Sequence, residues 1–539
     1  MTLRRITALA VVAVAAAAAA TATAAATPTA ALAETPAPAT ASTATLAETP
    51  MAVLATAPAS AAAAPPATTA TPATPESPTP PLRWGDCPPP TPGANGAVTT
   101  RDPRQQCATL AVPLDYTNPR GRTITLTVSR IPGARHRALV VAPGGPGMSG
   151  LDEPSAWSGT AVGRQLLGTY DLIGFDDRGI GRSTPIHCGL SAADRDFSAA
   201  VPFPSPQGDI SANVALAKRV ADSCAANAGA YLPYVNTPSI ARDMDRIRAA
   251  LGVARLSYFG TSYGTYRGAV YTALFPQRSD KIVLDSSVPP EGVLGALRLK
   301  GEAAASAFPD FAAWTAAHDA TFHLGTSADA VEAAYFRITT TLDAHPRTFP
   351  SGRVLTGNLV RIALPSMMEK RATFPVMAAI LAVGDGQDLP VTGFSQPIPD
   401  NFESDQYAVI CGDAPASRNP ATYAAAVQVE RRIHPLTNGM PANIWACAFW
   451  PRDAVHTPVP ITADGPRDVL MFQNRRDPSA AYSGALRMRA ALGGRAELTT
   501  VDDVGHGVDL TNPCTATRLT DFLLRDQLPV RDTACGTTP

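Results

Sequence analysis

The sequence predicts an α/β fold: a mostly parallel sheet with helices on both faces, interrupted by an inserted, mainly helical lid. Three observations lead there. Apolar runs of strand length alternate with helical patterns from about residue 138 to 285, and again from about 468 to 525. Between them, from about 291 to 455, that rhythm gives way to an Ala-rich helical stretch. Leu256-Ser-Tyr-Phe then runs into Gly260-Thr261-Ser262-Tyr263-Gly264 and a helix, read as Tyr266 to Phe275. Such a strand–turn–helix stands its serine oxygen at the C-terminal edge of a sheet, and the glycines let the backbone bend.

The chain begins with a targeting pattern. Arg4 and Arg5 precede an apolar run, Ile6 to Ala20, and small residues with Ala22-Thr23-Ala24 as one cleavage site. The run is shorter than the roughly 20 apolar residues of a membrane span, and the first cysteine is Cys87, too late for a lipid anchor. A secreted protein is expected. From about Thr21 to Pro81 the chain is mostly Ala, Thr and Pro with few large residues, and Leu-Ala-Glu-Thr-Pro occurs at 32–36 and again at 46–50. That composition cannot bury enough apolar surface to offset chain entropy. The expected divisions are 1–26 signal peptide, 27–82 disordered linker or propeptide, 83–290 first part of the core, 291–457 lid and 458–539 second part of the core.

Within the core, 107–112 and 123–131 alternate like paired strands. Ala138 to Ala142 is an apolar strand running into Pro143-Gly144-Gly145-Pro146-Gly147. Tyr170 to Phe175 runs into Asp176-Asp177-Arg178-Gly179. Helices are expected at about 210–228 and 238–251, and a strand at Lys281 to Asp285. After the insert come a strand 468–473, a helix 480–492, a strand 496–501 and a helix 516–525. Eight cysteines suit an oxidising compartment, and pairing neighbours in sequence gives Cys87–Cys107, Cys188–Cys224, Cys411–Cys447 and Cys514–Cys535. No C-x-x-C occurs, and no metal or cofactor is expected. A net charge of −1 points to neither nucleic acid nor an anionic membrane as partner, and a monomer is expected.

A serine hydroxyl needs a base, and the base needs an orienting carboxylate. The order here should be Ser, acid, His. His506, between Gly505 and Gly507 after a late strand, is the base. Asp477, just after the strand ending at Gln473, is the first choice of acid; Asp285 is the runner-up, and Asp502 and Asp503 rank last because they sit too close to His506 in sequence. The N–H of Tyr263 and one from the Gly144–Gly145 turn should form the oxyanion hole.

The motifs at 143–150, 176–183, 260–265, 447–451 and 505–507, taken together, resemble the secreted tripeptidyl aminopeptidases, which stand with the proline iminopeptidases among the α/β-hydrolase serine peptidases. The resemblance runs from about Trp84 to Cys535. It implies Ser262 as nucleophile, Asp477 as orienting acid and His506 as base and proton donor. It also implies an exopeptidase releasing short N-terminal units, tripeptides, from peptides with a free N-terminus. Pro143 stands where proline iminopeptidases have His, Asp177 where the group often has Gln, and Pro478-Ser479-Ala480-Ala481 replaces a Thr-Pro run after the acid. A lid carboxylate should meet the substrate ammonium. Glu369, Glu403, Asp405 and Asp413 are the candidates. The rival readings are a carboxylesterase or lipase on the same scaffold, or a proline iminopeptidase.

Overall fold

The computed structural model describes residues 79–90, 100–350, 352–387, 389 and 398–537. The expected signal segment, and the linker as far as residue 78, lie outside them.

Nine strands form one sheet: β1 (Gln106–Pro113), β2 (Thr123–Ile131), β3 (Arg137–Ala142), β4 (Tyr170–Phe175), β5 (Leu256–Thr261), β6 (Ser279–Asp285), β9 (Val469–Arg476), β10 (Ala496–Val504) and β11 (Thr533–Cys535). A separate hairpin, β7 (Arg347–Thr348) with β8 (Val354–Leu355), lies in the insert. The spatial order is β1-β2-β4-β3-β5-β6-β9-β10-β11. β1–β2 and β2–β4 pair antiparallel, and every other pairing is parallel. β5, which leads to Ser262, is therefore central, and Ser262 stands at the C-terminal end of a parallel stack.

The reason the central strands read as unbroken apolar runs is visible in how their side chains divide. Val140, Tyr258, Ile282, Leu284, Val469 and Met471 enter one buried cluster with Ile240, Met244 and Val270 of the helices on that face. Their neighbours Leu139, Val141, Phe259, Val283, Leu470 and Phe472 enter another, with Trp157, Leu519 and Phe522. Successive residues of a strand point to opposite faces, so a strand covered on both sides must be apolar at every position.

The helix after Ser262 spans Tyr263–Leu274, so it starts three residues earlier than expected: Ser262 takes the positive φ that turns strand directly into helix. The sequence carries no signal for β11. Three residues carry too little pattern, and the strand is held at the sheet edge by pairing with β10 and by Cys514–Cys535. The other disulfides are Cys87–Cys107, Cys188–Cys224 and Cys411–Cys447, so each cysteine is joined to its neighbour in sequence.

The segment between β6 and β9 divides in two. Residues 304–383 build their own core from Phe308, Phe311, Tyr335, Met367, Phe374 and Leu381 among others. The helix Asp400–Asp413 and the turn at 446–450 instead send Tyr407, Cys411, Cys447 and Trp450 into the main core. A second insertion, from about 186 to 235, wraps this later part. Asn401 donates to the carbonyls of Gly179 and Ile186, Ser404 accepts from the Cys188 N–H, and Asn443 donates to Pro202.

Arg178, from the acid-rich turn after β4, is fully buried against fully buried Asp243. Both guanidinium–carboxylate bonds are 2.7 Å, and the remaining donors reach the carbonyls of Pro113, Leu114 and Tyr234. Removing one partner of such a pair strands the other charge. Arg178→Met should lower stability by about 3–5 kcal/mol, read from the urea midpoint, and Arg178→Met with Asp243→Leu should recover much of the loss. A single variant as stable as the parent would contradict this account.

Candidate active site

Ser262 sits at φ 58°, ψ −124°. A residue with a Cβ is crowded in that conformation, and the surrounding glycines make it possible. A Cβ on Gly260 would lie 2.5 Å from the Gly264 carbonyl oxygen, and one on Gly264 would lie 2.8 Å from that of Pro143. Gly144 comes closer still to the serine: a Cβ there would lie 2.7 Å from the Ser262 Cβ and 3.2 Å from its Oγ. The Gly144–Gly145 turn thus lies against the hydroxyl. Tyr263 is the first residue of its helix, so its N–H has no acceptor inside the helix and adds to a positive end beside Ser262.

Asp477 and His506 arrive on adjacent parallel strands, β9 and β10. His506 Nδ1 lies 3.0 Å from both carboxylate oxygens of Asp477. Asp477 is fully buried and its Oδ1 also accepts the N–H groups of Ser479 and Ala480, each at 2.8 Å. The histidine loop is pinned from several sides. The His506 N–H donates to the Glu369 carbonyl at 3.0 Å. Asn474 donates to the carbonyls of Gly505 and Gly507, and the Gly507 N–H donates to Ser286 Oγ.

The alternative acids do other work. Asp285 accepts the Val508 N–H with both oxygens and gives its carbonyl to the Ser262 N–H, so it ties the histidine loop to the serine turn. Asp502 is paired with Arg476, and Asp503 with Arg371.

The four lid carboxylates separate by their partners. Asp413 accepts from the N–H and hydroxyl of Thr237, whose Oγ1 lies 2.8 Å from the Tyr263 hydroxyl, so it braces the serine helix. Glu369 accepts from Ser479. Asp405 is buried with Oδ1 unpartnered. Glu403 is fully buried and neither of its oxygens has a partner. Burial pushes the Glu403 carboxyl up to about 8 and that of Asp413 up to about 7. The residue before Glu403 touches the Gly144–Gly147 turn: a Cβ on Gly147 would lie 2.7 Å from the Phe402 carbonyl oxygen.

Several contributors escaped the sequence reading. Arg267, on the serine helix, is buried and pairs with Asp177 while donating to the Tyr258 hydroxyl and the Pro143 carbonyl. Asp176 accepts from Ser149 at 2.5 Å and from the N–H groups of Leu151 and Arg182. Together the two acids after β4 hold the turn at 143–151 and the serine helix against each other. The available signal was two adjacent acids directly after an apolar strand. Among the described residues no group of three or more His, Cys, Asp or Glu is arranged to hold a metal ion, and no helix is long and apolar enough to cross a membrane.

The family model described as TAP-like protein matches residues 436–535. The chain is 34% identical over 455 residues to a tripeptidyl aminopeptidase of Streptomyces lividans, covering 80% of this chain and 83% of that one. It is 30% identical over 464 residues to Carboxylesterase B of Mycobacterium tuberculosis, covering 80% and 86%. It is 28% identical over 461 residues to Serine protease Hip1 of Mycobacterium bovis, covering 80% and 87%.

Burial works against a charged His506, but the charge of Asp477 and its hydrogen bond, with Glu369 behind, outweigh it and raise the imidazole to about 9. The neutral ring is the form that can take a proton, so kcat/KM should climb with pH through that region. Asp477→Asn removes the cause of the rise. Its ascending limb should move to lower pH while kcat falls on the order of 10,000-fold. A pH–rate profile of both proteins checks this, and an unmoved limb would count against the pair.

Proposed function

We infer the activity from a premise that the matches establish: the chain belongs to the tripeptidyl aminopeptidase family of α/β-hydrolase serine hydrolases. We propose that it is a secreted serine exopeptidase that releases short N-terminal units, tripeptides, from peptides with a free N-terminus. The observation that carries the reading is the buried Asp477–His506 pair held on loops tied to the strained Ser262 turn. Ser262 Oγ attacks the scissile carbonyl as His506 takes its proton. The negative oxygen that develops is met by the Tyr263 N–H and the Gly144–Gly145 turn. Collapse breaks the C–N bond, and His506 returns the proton to the leaving amine. Water then repeats the sequence on the acyl-enzyme and frees the acid.

The free-amine requirement is supported by Glu403. A buried carboxylate without a partner is costly, and a substrate ammonium would both ionise it and pair with it. Asp405, unpartnered at one oxygen, is the second such group among the lid carboxylates. Four disulfides support an oxidising, extracellular setting. Ester hydrolysis is the second reading, favoured by the match to Carboxylesterase B; it has no use for the orphan acids.

Ser262→Ala should abolish turnover of tripeptide anilides and fluorophosphonate labelling while leaving the denaturation midpoint near that of the parent. Retained turnover would end the assignment. Acetylating the substrate amine should abolish cleavage, whereas equal rates on blocked and free peptides would favour the esterase reading. Glu403→Gln should raise KM for free-amine peptides roughly 10- to 100-fold, the worth of a charge-assisted hydrogen bond. An unchanged KM would remove Glu403 from the amine site.

A further inference from the structure

We propose that Glu369 is a positioning residue for His506: the cap, and not the sheet alone, sets where the imidazole stands and which charges it faces. The proposal rests on His506 being the base. Glu369 directly follows the cap helix Gly357–Met368 and makes two contacts with the catalytic loops. Its carbonyl accepts the His506 N–H at 3.0 Å. Its Oε1 accepts the Ser479 hydroxyl at 2.5 Å. Ser479 in turn donates its N–H to Asp477 Oδ1 at 2.8 Å, and Asp477 holds His506 Nδ1 at 3.0 Å. The contacts form a closed circuit from cap to acid loop to histidine and back to the cap. The fit is tight: a Cβ on Gly505 would lie 3.0 Å from the Glu369 carbonyl oxygen.

The charges around the ring define what this residue adds. Asp477 and Asp285 face it from the sheet, and Glu369 and Lys300 from the cap. Further out, Asp503 is paired with Arg371 and Asp502 with Arg476, and both arginines also reach Asp310 on the cap helix Lys300–Ala317. Those five groups pair three carboxylates with two guanidiniums and leave one net negative charge. Among the described residues the Glu369 carboxylate is bound through the neutral Ser479 hydroxyl, so its negative charge acts on the ring. The effect adds to that of Asp477 and opposes that of Lys300.

The test compares the pH dependence of kcat/KM and of fluorophosphonate inactivation in the parent, Glu369→Gln, Glu369→Asp and the control Glu332→Gln, an exposed acid of the same insert. Glu369→Gln should move the ascending limb to lower pH by about half a unit or more, the effect of one nearby charge at a partly buried site. Glu369→Asp keeps the charge but shortens the reach to Ser479, so its limb should stay near the parent's while the plateau falls severalfold. Glu332→Gln should change neither. A Glu369→Gln limb that superimposes on the parent's overturns the proposal. Should that variant fail to fold, Glu369→Asp decides, and an unaltered plateau overturns it. Inactivation of His506→Ala at the parent's rate would instead remove the base assignment itself, a result separable from any Glu369 outcome.

Discussion

Ser262 holds a backbone conformation that costs a residue with a Cβ on the order of 1–2 kcal/mol, and the molecule around it is arranged so that no cheaper conformation fits. β5 ends under it, the helix begins immediately after it, and Gly260, Gly264 and Gly144 close in without side chains. The Ser262 N–H is tied to the carbonyl of Asp285 at the end of the next strand. Relaxing the serine would require pulling the helix from the sheet. The hydroxyl is therefore placed by tertiary packing and not by its own rotamer preference.

The same constraint explains why so many charges lie buried near the turn. Arg267 belongs to the serine helix and reaches both Asp177 and the Pro143 carbonyl, so it locks the helix to the start of the Gly144–Gly147 turn. Asp176 locks the far side of that turn through Ser149 and Leu151. Asp413, through Thr237, reaches Tyr263. Polar groups this deep are costly unless fully engaged, and most of these are engaged. Both oxygens of Glu403 and one oxygen each of Asp405 and Asp177 lack a partner. Asp177 is paired with Arg267 through its other oxygen, which separates it from the two lid acids; those two read as groups awaiting a ligand and the others as scaffold.

The sheet was legible because two-sided burial forces continuous apolar runs, and β3, β4, β5, β6 and β9 all show them. Ser262, Asp477 and His506 stood out because each follows such a run at a turn that glycine or proline makes sharp. β11 was not legible, since a three-residue edge strand has no period to detect. Arg267 was obscured because a charge on a helix reads as a solvated face until tertiary packing covers it. Glu403 was legible as one of four lid carboxylates, and only its burial without a partner sets it apart. Glu369 was legible in that same group, but its place beside His506 was obscured for a different reason. The contact with His506 is made by its carbonyl, which every residue carries, so nothing in its side chain could announce that role. The division of the insert was equally hidden, because the part that joins the main core does so through a disulfide and a few side chains spread from Tyr407 to Trp450.

That division separates what can be exchanged from what cannot. The apolar cluster spanning 304–383 draws in Leu436 and Val504 and meets the sheet loops through polar contacts of Asp310, Glu369 and Arg371, so a differently shaped piece that kept those contacts could replace it without rebuilding the sheet. The helix Asp400–Asp413 has no such freedom, since its side chains help fill the main core. A lineage remodelling this molecule for new substrates would thus find variation cheap above the site and expensive beside it. Any transplanted upper piece would need a carbonyl to receive the His506 N–H, or the loop would be left one anchor short.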